Sequence, residues 1–500
     1  MISLLQSSYK LNMKEKQKAN SSRIKSVLKY KRLILGILGV VLFVIIGVIL
    51  EPSTALSASA EKVGSNGRSA MIVLGSLVWA ICWWVGTVVP DWATGVVLML
   101  IWTISGTAEF GVSFSQYSGS IVWLLIGAFL IAGAVNKTGA LKRISLMLMK
   151  IFPASFRGQM LALMGVGTII SPLVPSSTAK AVLGSNLALS TGKAMKFGPN
   201  SKGMTGLFMS AWVGWSLTVP AFMTASAFGF MLKGALPKEI AAQITFGKWF
   251  ITMLPWLIVL LVGMFIVINI LYKPEQNASI PKEYVQQEID DLGKMSTKEL
   301  LSIIILVACI ICWILEKRIG VAAEITALVG AILCFLFGVL EPKDLSQRVS
   351  WPLIVFVGAV IQLGNMFGLT GINGWLTEVL KPIFLTLHNR FLMVIVVVIV
   401  VTLVRFLVAS QGANLLLFVA ILTPVAISTG INPWIMGLIV YVSQQLWFAP
   451  YQSTTYTPAL GVMEGNMLHS DAVKGCFGYV IVSLVGLLIS TPYWMMLGYM

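Results

Sequence analysis

Residues 171–180 read Ser-Pro-Leu-Val-Pro-Ser-Ser-Thr-Ala-Lys, and residues 405–414 read Arg-Phe-Leu-Val-Ala-Ser-Gln-Gly-Ala-Asn. Each lies in the middle of an otherwise apolar stretch, 157–191 in the first case and 391–428 in the second. Both stretches are too long for one membrane crossing, which takes roughly 20 apolar residues. An apolar arm, a polar tip and a return arm describe a re-entrant hairpin. Irregular backbone at membrane depth is tolerated only where protein or a water-filled cavity surrounds it. Two such hairpins set the fold class: an all-α polytopic membrane protein.

The rest of the chain agrees. It has 500 residues, 57% hydrophobic and 11% charged, with a mean hydropathy of +0.89. A soluble domain carries about 25% charged residues, so this chain lacks the polar side chains to cover a surface facing water. Apolar runs fall at 33–50, 70–89, 93–108, 121–140, 205–231, 249–272, 300–315, 321–340, 351–369, 431–449 and 475–497. They predict about 11 transmembrane helices beside the two hairpins. The net charge of +16 does not signal nucleic-acid binding. Nine Lys or Arg against Glu15 crowd into residues 1–32, just ahead of the first apolar run. That asymmetry predicts a cytoplasmic N-terminus beside anionic lipid in the cell (inner) membrane. Counting spans from there places Lys142-Arg143 and the 273–299 linker inside and the C-terminus outside. The first hairpin then enters from the inner face and the second from the outer face.

The two hairpins also mark a repeat. Trp123, Gly127-Ala128, Gly133 and Thr138-Gly139 precede the first, and Trp351, Gly358-Ala359, Gly364 and Thr370-Gly371 precede the second. Gly127 stands 49 residues before Ser176, and Gly358 stands 52 before Ser410. Opposite entry makes the repeat inverted, a signature of secondary transporters with a site at the midplane. The organisation predicted is a basic N-terminus at 1–32, a first repeat at 33–272, a cytoplasmic linker at 273–299 and a second repeat at 300–498.

Helix starts at the tips offer free N–H groups to anions. Ser176, Ser177 and Thr178 add hydroxyls at one tip; Ser410, Gln411, Gly412 and Asn414 form the other. Lys180 and Arg405 stand in apolar surroundings with no acid nearby in sequence. A cation there costs about 2.5–3.5 kcal/mol on insertion scales and so faces a cavity or a partner, and an anionic substrate is the expected counter-charge. The helices after each hairpin break at Thr224 and Ser226, and at Ser453, Thr454 and Thr455. No GxxxxGK[ST], HExxH or GxSxG occurs, so neither ATP drive nor these catalytic sets is expected. The five cysteines lie in or beside apolar runs; Cys309 and Cys312 form a CxxC, but no His or second CxxC is near, so neither metal nor redox chemistry is expected. No catalytic residue, cofactor or structural metal is predicted.

Several stretches resemble the divalent anion/sodium symporter family, nearest its branch of citrate/succinate antiporters and plastid 2-oxoglutarate/malate translocators. They are residues 136–144 (Asn-Lys-Thr-Gly-Ala-Leu-Lys-Arg-Ile), 174–180 (Val-Pro-Ser-Ser-Thr-Ala-Lys), 292–299 (Leu-Gly-Lys-Met-Ser-Thr-Lys-Glu), 406–410 (Phe-Leu-Val-Ala-Ser), 449–453 (Ala-Pro-Tyr-Gln-Ser) and 492–494 (Pro-Tyr-Trp). The resemblance implies a homodimeric elevator, with a di- or tricarboxylate bound between the tips at Ser176, Ser177, Thr178, Ser410, Gln411 and Gly412. It also implies that sodium, where bound, sits near Ser176, Ser177, Ser410 and Gln411. The sequence departs from the family pattern at Ser177, at Gln411-Gly412 and at Phe228-Gly229. Lys180 stands where the sodium-coupled branch has a small polar residue. A fixed cation there could supply the charge that sodium supplies elsewhere, so anion exchange without sodium is the first expectation. A sodium-coupled symporter of dicarboxylate or sulfate is the alternative. An intramembrane enzyme and a channel are weaker readings, the first for want of membrane-depth carboxylates.

Overall fold

The computed structural model describes residues 30–500 apart from 275, 282, 387 and 388. Most of the basic segment 1–32, and His388, therefore lie outside the described residues. Every regular element among the described residues is helical, and the one strand-like contact is an isolated bridge between Ser155 and Ser279.

The chain runs through α1 (Tyr30–Ile49), α2 (Gly67–Gly86), α3 (Asp91–Ile104), α4 (Ser120–Lys137) and α5 (Ala140–Met149). It continues through α6 (Phe156–Ile170), α7 (Ser177–Ala194), α8 (Lys202–Trp212), α9 (Ala227–Ala235), α10 (Phe246–Leu271) and α11 (Tyr284–Asp290). Then come α12 (Thr297–Ile314), α13 (Ala323–Leu336), α14 (Trp351–Leu369), α15 (Ile372–Thr386), α16 (Arg390–Val404), α17 (Gln411–Ser428), α18 (Pro433–Ser443), α19 (Tyr456–Val462) and α20 (His469–Met496). Among the described residues, eight of these are long and apolar enough to cross a membrane: α1, α2, α4, α10, α12, α14, α17 and α20. The expectation of about 11 spans also counted shorter apolar pieces, such as α3 and α13 at 14 residues each. It further counted the runs 205–231 and 431–449, which polar and proline-containing breaks divide. His469, expected in a loop, is the first residue of α20.

Two helices were not expected as separate elements. After α4 and α14 the chain turns through Gly139 (φ +83°) and Gly371 (φ +76°), a conformation that favours glycine. The short helices α5 and α15 follow. Helix α5 is tied down electrostatically. Arg143 Nε donates to Glu299 Oε1 of α12 at 2.6 Å, and both side chains are buried. Arg143 Nη2 also donates to the Leu292 carbonyl at 3.4 Å. Charge counting had used Arg143 as a water-facing topology signal; it is instead half of a buried ion pair. At the end of α4, Lys137 Nζ lies 2.6 Å from Asp344 Oδ2, and Arg348 Nε lies 3.2 Å from Oδ1. Burial pushes the Asp344 carboxyl up, but the Lys137 ammonium, the Glu341 N–H and Arg348 outweigh it and hold the group at about 2.

Packing is reciprocal between the halves. Helix α3 packs on α14, while α13 packs on α4, and the last helices α10 and α20 lie against each other. Small residues permit the first two contacts. A Cβ on Gly95 would fall 2.8 Å from Ala359 Cβ, and one on Gly127 would fall 2.7 Å from the Ala327 carbonyl carbon. Small residues at such crossings let backbones approach without a hydrophobic driving force between helices. Large apolar side chains on the outer faces of α10, α12 and α20 are exposed, including Ile258, Val262, Ile304, Ile311, Ile481 and Ile489. Those faces fit lipid.

Candidate functional site

The first break runs between α6 and α7. A short 3-10 turn at Ser171–Leu173 follows α6, and Ser176 then caps α7, its Oγ accepting from Ala179 N at 3.4 Å. The second break, between α16 and α17, ends in the same way: Ser410 caps α17 and its Oγ accepts from Ala413 N at 3.3 Å. A side-chain cap satisfies one of the free donors at a helix start, and the others stay available to an anion.

After each of these breaks the next pair of helices is itself separated by an unwound segment. Between α8 and α9 the chain passes through a π turn at Val213–Leu217 and 3-10 turns at Val219–Ala221 and Met223–Ala225. Pro220, which lacks an N–H, prevents a continuous helix here. Trp215, on the π turn, wedges between α6 and α7. A Cβ on Gly167 of α6 would meet its ring at 2.4 Å, and one on Gly184 of α7 at 2.7 Å. The corresponding break between α18 and α19 contains Gln444, Gln445 and the turn Pro450–Gln452.

These segments interlock. Residues 171–173 touch 223–225, α7 packs along α19, and α9 packs along α17. A Cβ on Gly412 would come within 3.6 Å of Phe228 and 3.0 Å of Met231, both on α9. Thr224 and Ser226 therefore lie in the segment that links the two tips, both buried. Ser226 pairs with the buried Tyr441 hydroxyl of α18, which fixes the start of α9.

Lys180 and Arg405 are fully buried, and neither makes an ion pair among the described residues. Lys180 Nζ donates to the Ser171 carbonyl and Oγ, both at 3.1 Å, and to the Ala225 carbonyl at 2.7 Å. An ammonium has three donors, and all three are engaged. Arg405 Nε donates to the Gln444 carbonyl at 3.3 Å, Nη1 to the carbonyls of Val408 and of Ala409 (3.1 Å for the latter), and Nη2 to the Gln452 carbonyl. Each of the two thus clasps carbonyls from one helix break and from the unwound segment after it.

The remaining candidates divide. Asn414 Nδ2 donates to Gln444 Oε1 at 3.2 Å, while Asn414 Oδ1 and Gln444 Nε2 are buried without a partner. Gln411 Nε2 donates to Gln445 Oε1 at 3.3 Å. Ser453 and Thr455 share a hydrogen bond of 3.0 Å, and Ser453 Oγ accepts from Tyr456 N at the start of α19; Thr454 is exposed. The two tips differ in access. Thr178 is exposed beside half-buried Ser176 and Ser177, whereas Gln411 and Gly412 are buried. The sequence reading passed over Gln444, Gln445 and the structural part of Gln452. Their signal was present: three glutamines in a run that is otherwise apolar or aromatic. Among the described residues, no group of three His, Cys, Asp or Glu could hold a metal ion.

The multi-pass bundle with its broken helices belongs, by its family and relatives, to membrane transporters and not to enzymes. The chain belongs to the sodium:sulfate symporter transmembrane family, whose model matches residues 35–500. It is 22% identical over 429 residues to the sodium-dependent dicarboxylate transporter SdcS of Staphylococcus saprophyticus, covering 80% of this chain and 79% of that one. It is 23% identical over 323 residues to the L-tartrate/succinate antiporter of Escherichia coli, covering 63% of each. Among solved structures it resembles the YdaH transporter of Alcanivorax borkumensis, with a TM-score of 0.54 and 12% identity over 81% of this chain and 89% of that one. That last likeness concerns the fold alone.

Proposed function

We propose that this protein is a secondary active transporter that exchanges di- or tricarboxylates across the cell (inner) membrane by an elevator motion, without sodium. The observation that carries the exchange reading is the occupation of the tip carbonyls. Sodium needs a cage of oxygens. Here the ammonium of Lys180 takes the oxygens of Ser171 and Ala225, and the guanidinium of Arg405 takes those of Val408, Ala409, Gln444 and Gln452. The oxygens these two side chains hold are not open to sodium, so no step is assigned to it. The two basic side chains stand behind the tips. Their donors are spent on backbone carbonyls and the Ser171 hydroxyl, so they hold the tips in shape, and a bound anion is the counter-charge they lack.

The carboxylates are assigned to the Ser176-Ser177-Thr178 and Ser410-Gln411-Gly412 tips, with Asn414 Oδ1 and Gln444 Nε2 supplying an unused acceptor and donor. Thr224, Ser226, Ser453, Thr454 and Thr455 border this space. The substrate class is supported by the printed functions of the dicarboxylate transporter and the tartrate/succinate antiporter among the relatives. The repeat is read as inverted, with re-entrant hairpins at 157–191 and 391–428, and the reciprocal packing of α3 on α14 and α13 on α4 supports that symmetry. The anchored helix α5 suits a fixed arm beside a moving hairpin. A cytoplasmic N-terminus, an outside C-terminus and a homodimer complete the reading.

Sodium-coupled symport is the second reading, favoured by the sodium dependence printed for SdcS. The test is uptake of labelled succinate, malate, citrate and sulfate into liposomes holding the purified protein. Each anion is run with and without a sodium gradient and with and without internal anion. Uptake that needs internal anion and ignores sodium is expected. Uptake driven by sodium into empty liposomes would overturn exchange.

A further inference from the structure

Helix α17 opens on a polar face that runs inward from the second tip. Residues three and four apart share one side of a helix, so Asn414 lies one turn below Ser410 and on the face of Gln411. Helix α18 packs along α17 and ends just before Gln444 and Gln445. Two amide pairs form across this seam. In the outer one Gln411 Nε2 donates to Gln445 Oε1 at 3.3 Å, and Gln445 is half-buried. In the inner one Asn414 Nδ2 donates to Gln444 Oε1 at 3.2 Å, and both residues are fully buried.

The inner pair is left half-made. Asn414 Oδ1 and Gln444 Nε2 have no partner, so the two amides are one bond short of the ring that such groups close with each other. The neighbouring Gln452 shows the contrast: its Nε2 donates to the Arg405 carbonyl at 3.4 Å, and its Oε1 accepts from Ala449 N at 3.0 Å. Gln444 is also pinned through its backbone, where its carbonyl accepts from Arg405 Nε at 3.3 Å. A buried donor and a buried acceptor without partners are costly, and nearly all such groups in folded proteins are satisfied. The group that satisfies this pair must accept from an amide N–H and donate to an amide oxygen at once. A carboxylate only accepts, and an ammonium only donates. A hydroxyl does both. Exchanging O and N in both amides swaps the two roles and leaves the same requirement.

We propose that Asn414 and Gln444 form a hydroxyl subsite, which makes hydroxylated dicarboxylates the preferred substrates of this protein. The inference rests on the carboxylate reading of the two tips and deepens it. With one carboxylate at the start of α17, a hydroxyl on the adjacent carbon turns down the same helix face, past the outer Gln411–Gln445 pair, to the inner one. There it donates to Asn414 Oδ1 and accepts from Gln444 Nε2. Succinate carries the same charge on the same carbon chain but has no hydroxyl, so it leaves both atoms unpartnered.

The test uses the full-length protein in liposomes, with succinate and each enantiomer of malate as probes. Malate is succinate with one added hydroxyl, so the ratio of their half-saturating concentrations reads the subsite alone. Two buried hydrogen bonds correspond to about tenfold in affinity. The better malate enantiomer should therefore half-saturate exchange at about one-tenth of the succinate concentration or less. Asn414→Leu with Gln444→Met replaces the pair by apolar side chains of similar size, and the ratio should fall to about one. A purely structural role would change stability or maximal rate and leave the ratio at its wild-type value. Equal half-saturation by succinate and both malate enantiomers in the wild type would overturn the hydroxyl subsite, whether or not the double variant folds. A tenfold preference that survives in the folded double variant would overturn its assignment to Asn414 and Gln444. Exchange of none of these acids would overturn the carboxylate reading itself, and the subsite with it.

Discussion

Replacing Lys180 by Thr removes a buried ammonium and leaves three oxygens facing each other: the Ser171 carbonyl, the Ser171 hydroxyl and the Ala225 carbonyl. Each buried acceptor left without a donor costs about 1–3 kcal/mol. Counting the two carbonyls alone, the competent tip loses about 2–6 kcal/mol. At 1.4 kcal/mol per tenfold, the lower bound is already a loss of about 30-fold in the population that binds substrate. The three oxygens that the ammonium held are then free, and oxygen sets are what a small hard cation takes. Succinate exchange by Lys180→Thr in sodium-free buffer should therefore fall at least about 30-fold. It should recover in part as sodium is raised, while potassium or choline has no effect. The assay is exchange of labelled succinate in liposomes, with the salt replaced at constant ionic strength. If the variant exchanges at half the wild-type rate or better without sodium, the argument that this cation organises the tip is wrong. If it is inactive in every salt but folded, the tip needs the fixed charge and the cage argument fails.

Arg405→Lys keeps the charge but loses the planar fork that reaches four carbonyls, so transport should drop at least about tenfold; near-normal exchange would show that charge alone suffices. Gly184→Leu drives a side chain into Trp215, whose ring lies 2.7 Å from the Cβ position. Overpacking of this kind costs about 1–3 kcal/mol or more, and thermal denaturation in detergent should register it. Glu299→Gln leaves Arg143 buried without its carboxylate, at a cost of about 3–5 kcal/mol. The variant should melt earlier, and Arg143→Met with Glu299→Met should restore much of the loss. Asp344 is held at about 2 in the fold against an ordinary 3.8. A lowered value stabilises the folded form above the unfolded value. That contribution should be complete above about pH 4 and vanish as pH falls toward 2, and Asp344→Asn should abolish this part of the acid profile.

Much of the architecture is legible in one dimension because lipid forces it. A backbone in hydrocarbon must satisfy its own hydrogen bonds, so long apolar runs read as helices and polar interruptions read as breaks. The Ser176 and Ser410 tips were found in this way, whereas the turns at Gly139 and Gly371 were not. The family resemblance rested on the same stretches and is matched by the family model over residues 35–500. What one dimension could not supply is partnership between distant segments. Lys180 and Arg405 stood out as cations in apolar sequence, and an anion seemed the natural partner. Their actual partners are backbone carbonyls, Ala225 being 45 residues from Lys180 and Gln452 being 47 from Arg405. Carbonyls carry no sequence signature, since every residue has one. Arg143 and Glu299, 156 residues apart, look like two surface charges until folding buries them together. The sequence by itself determined that the chain enters the membrane, where its helices break and which residues stand at the breaks. Only tertiary structure decided which oxygens face which cations and which acid meets Arg143, because those pairings depend on chain closure over long separations and not on local propensity.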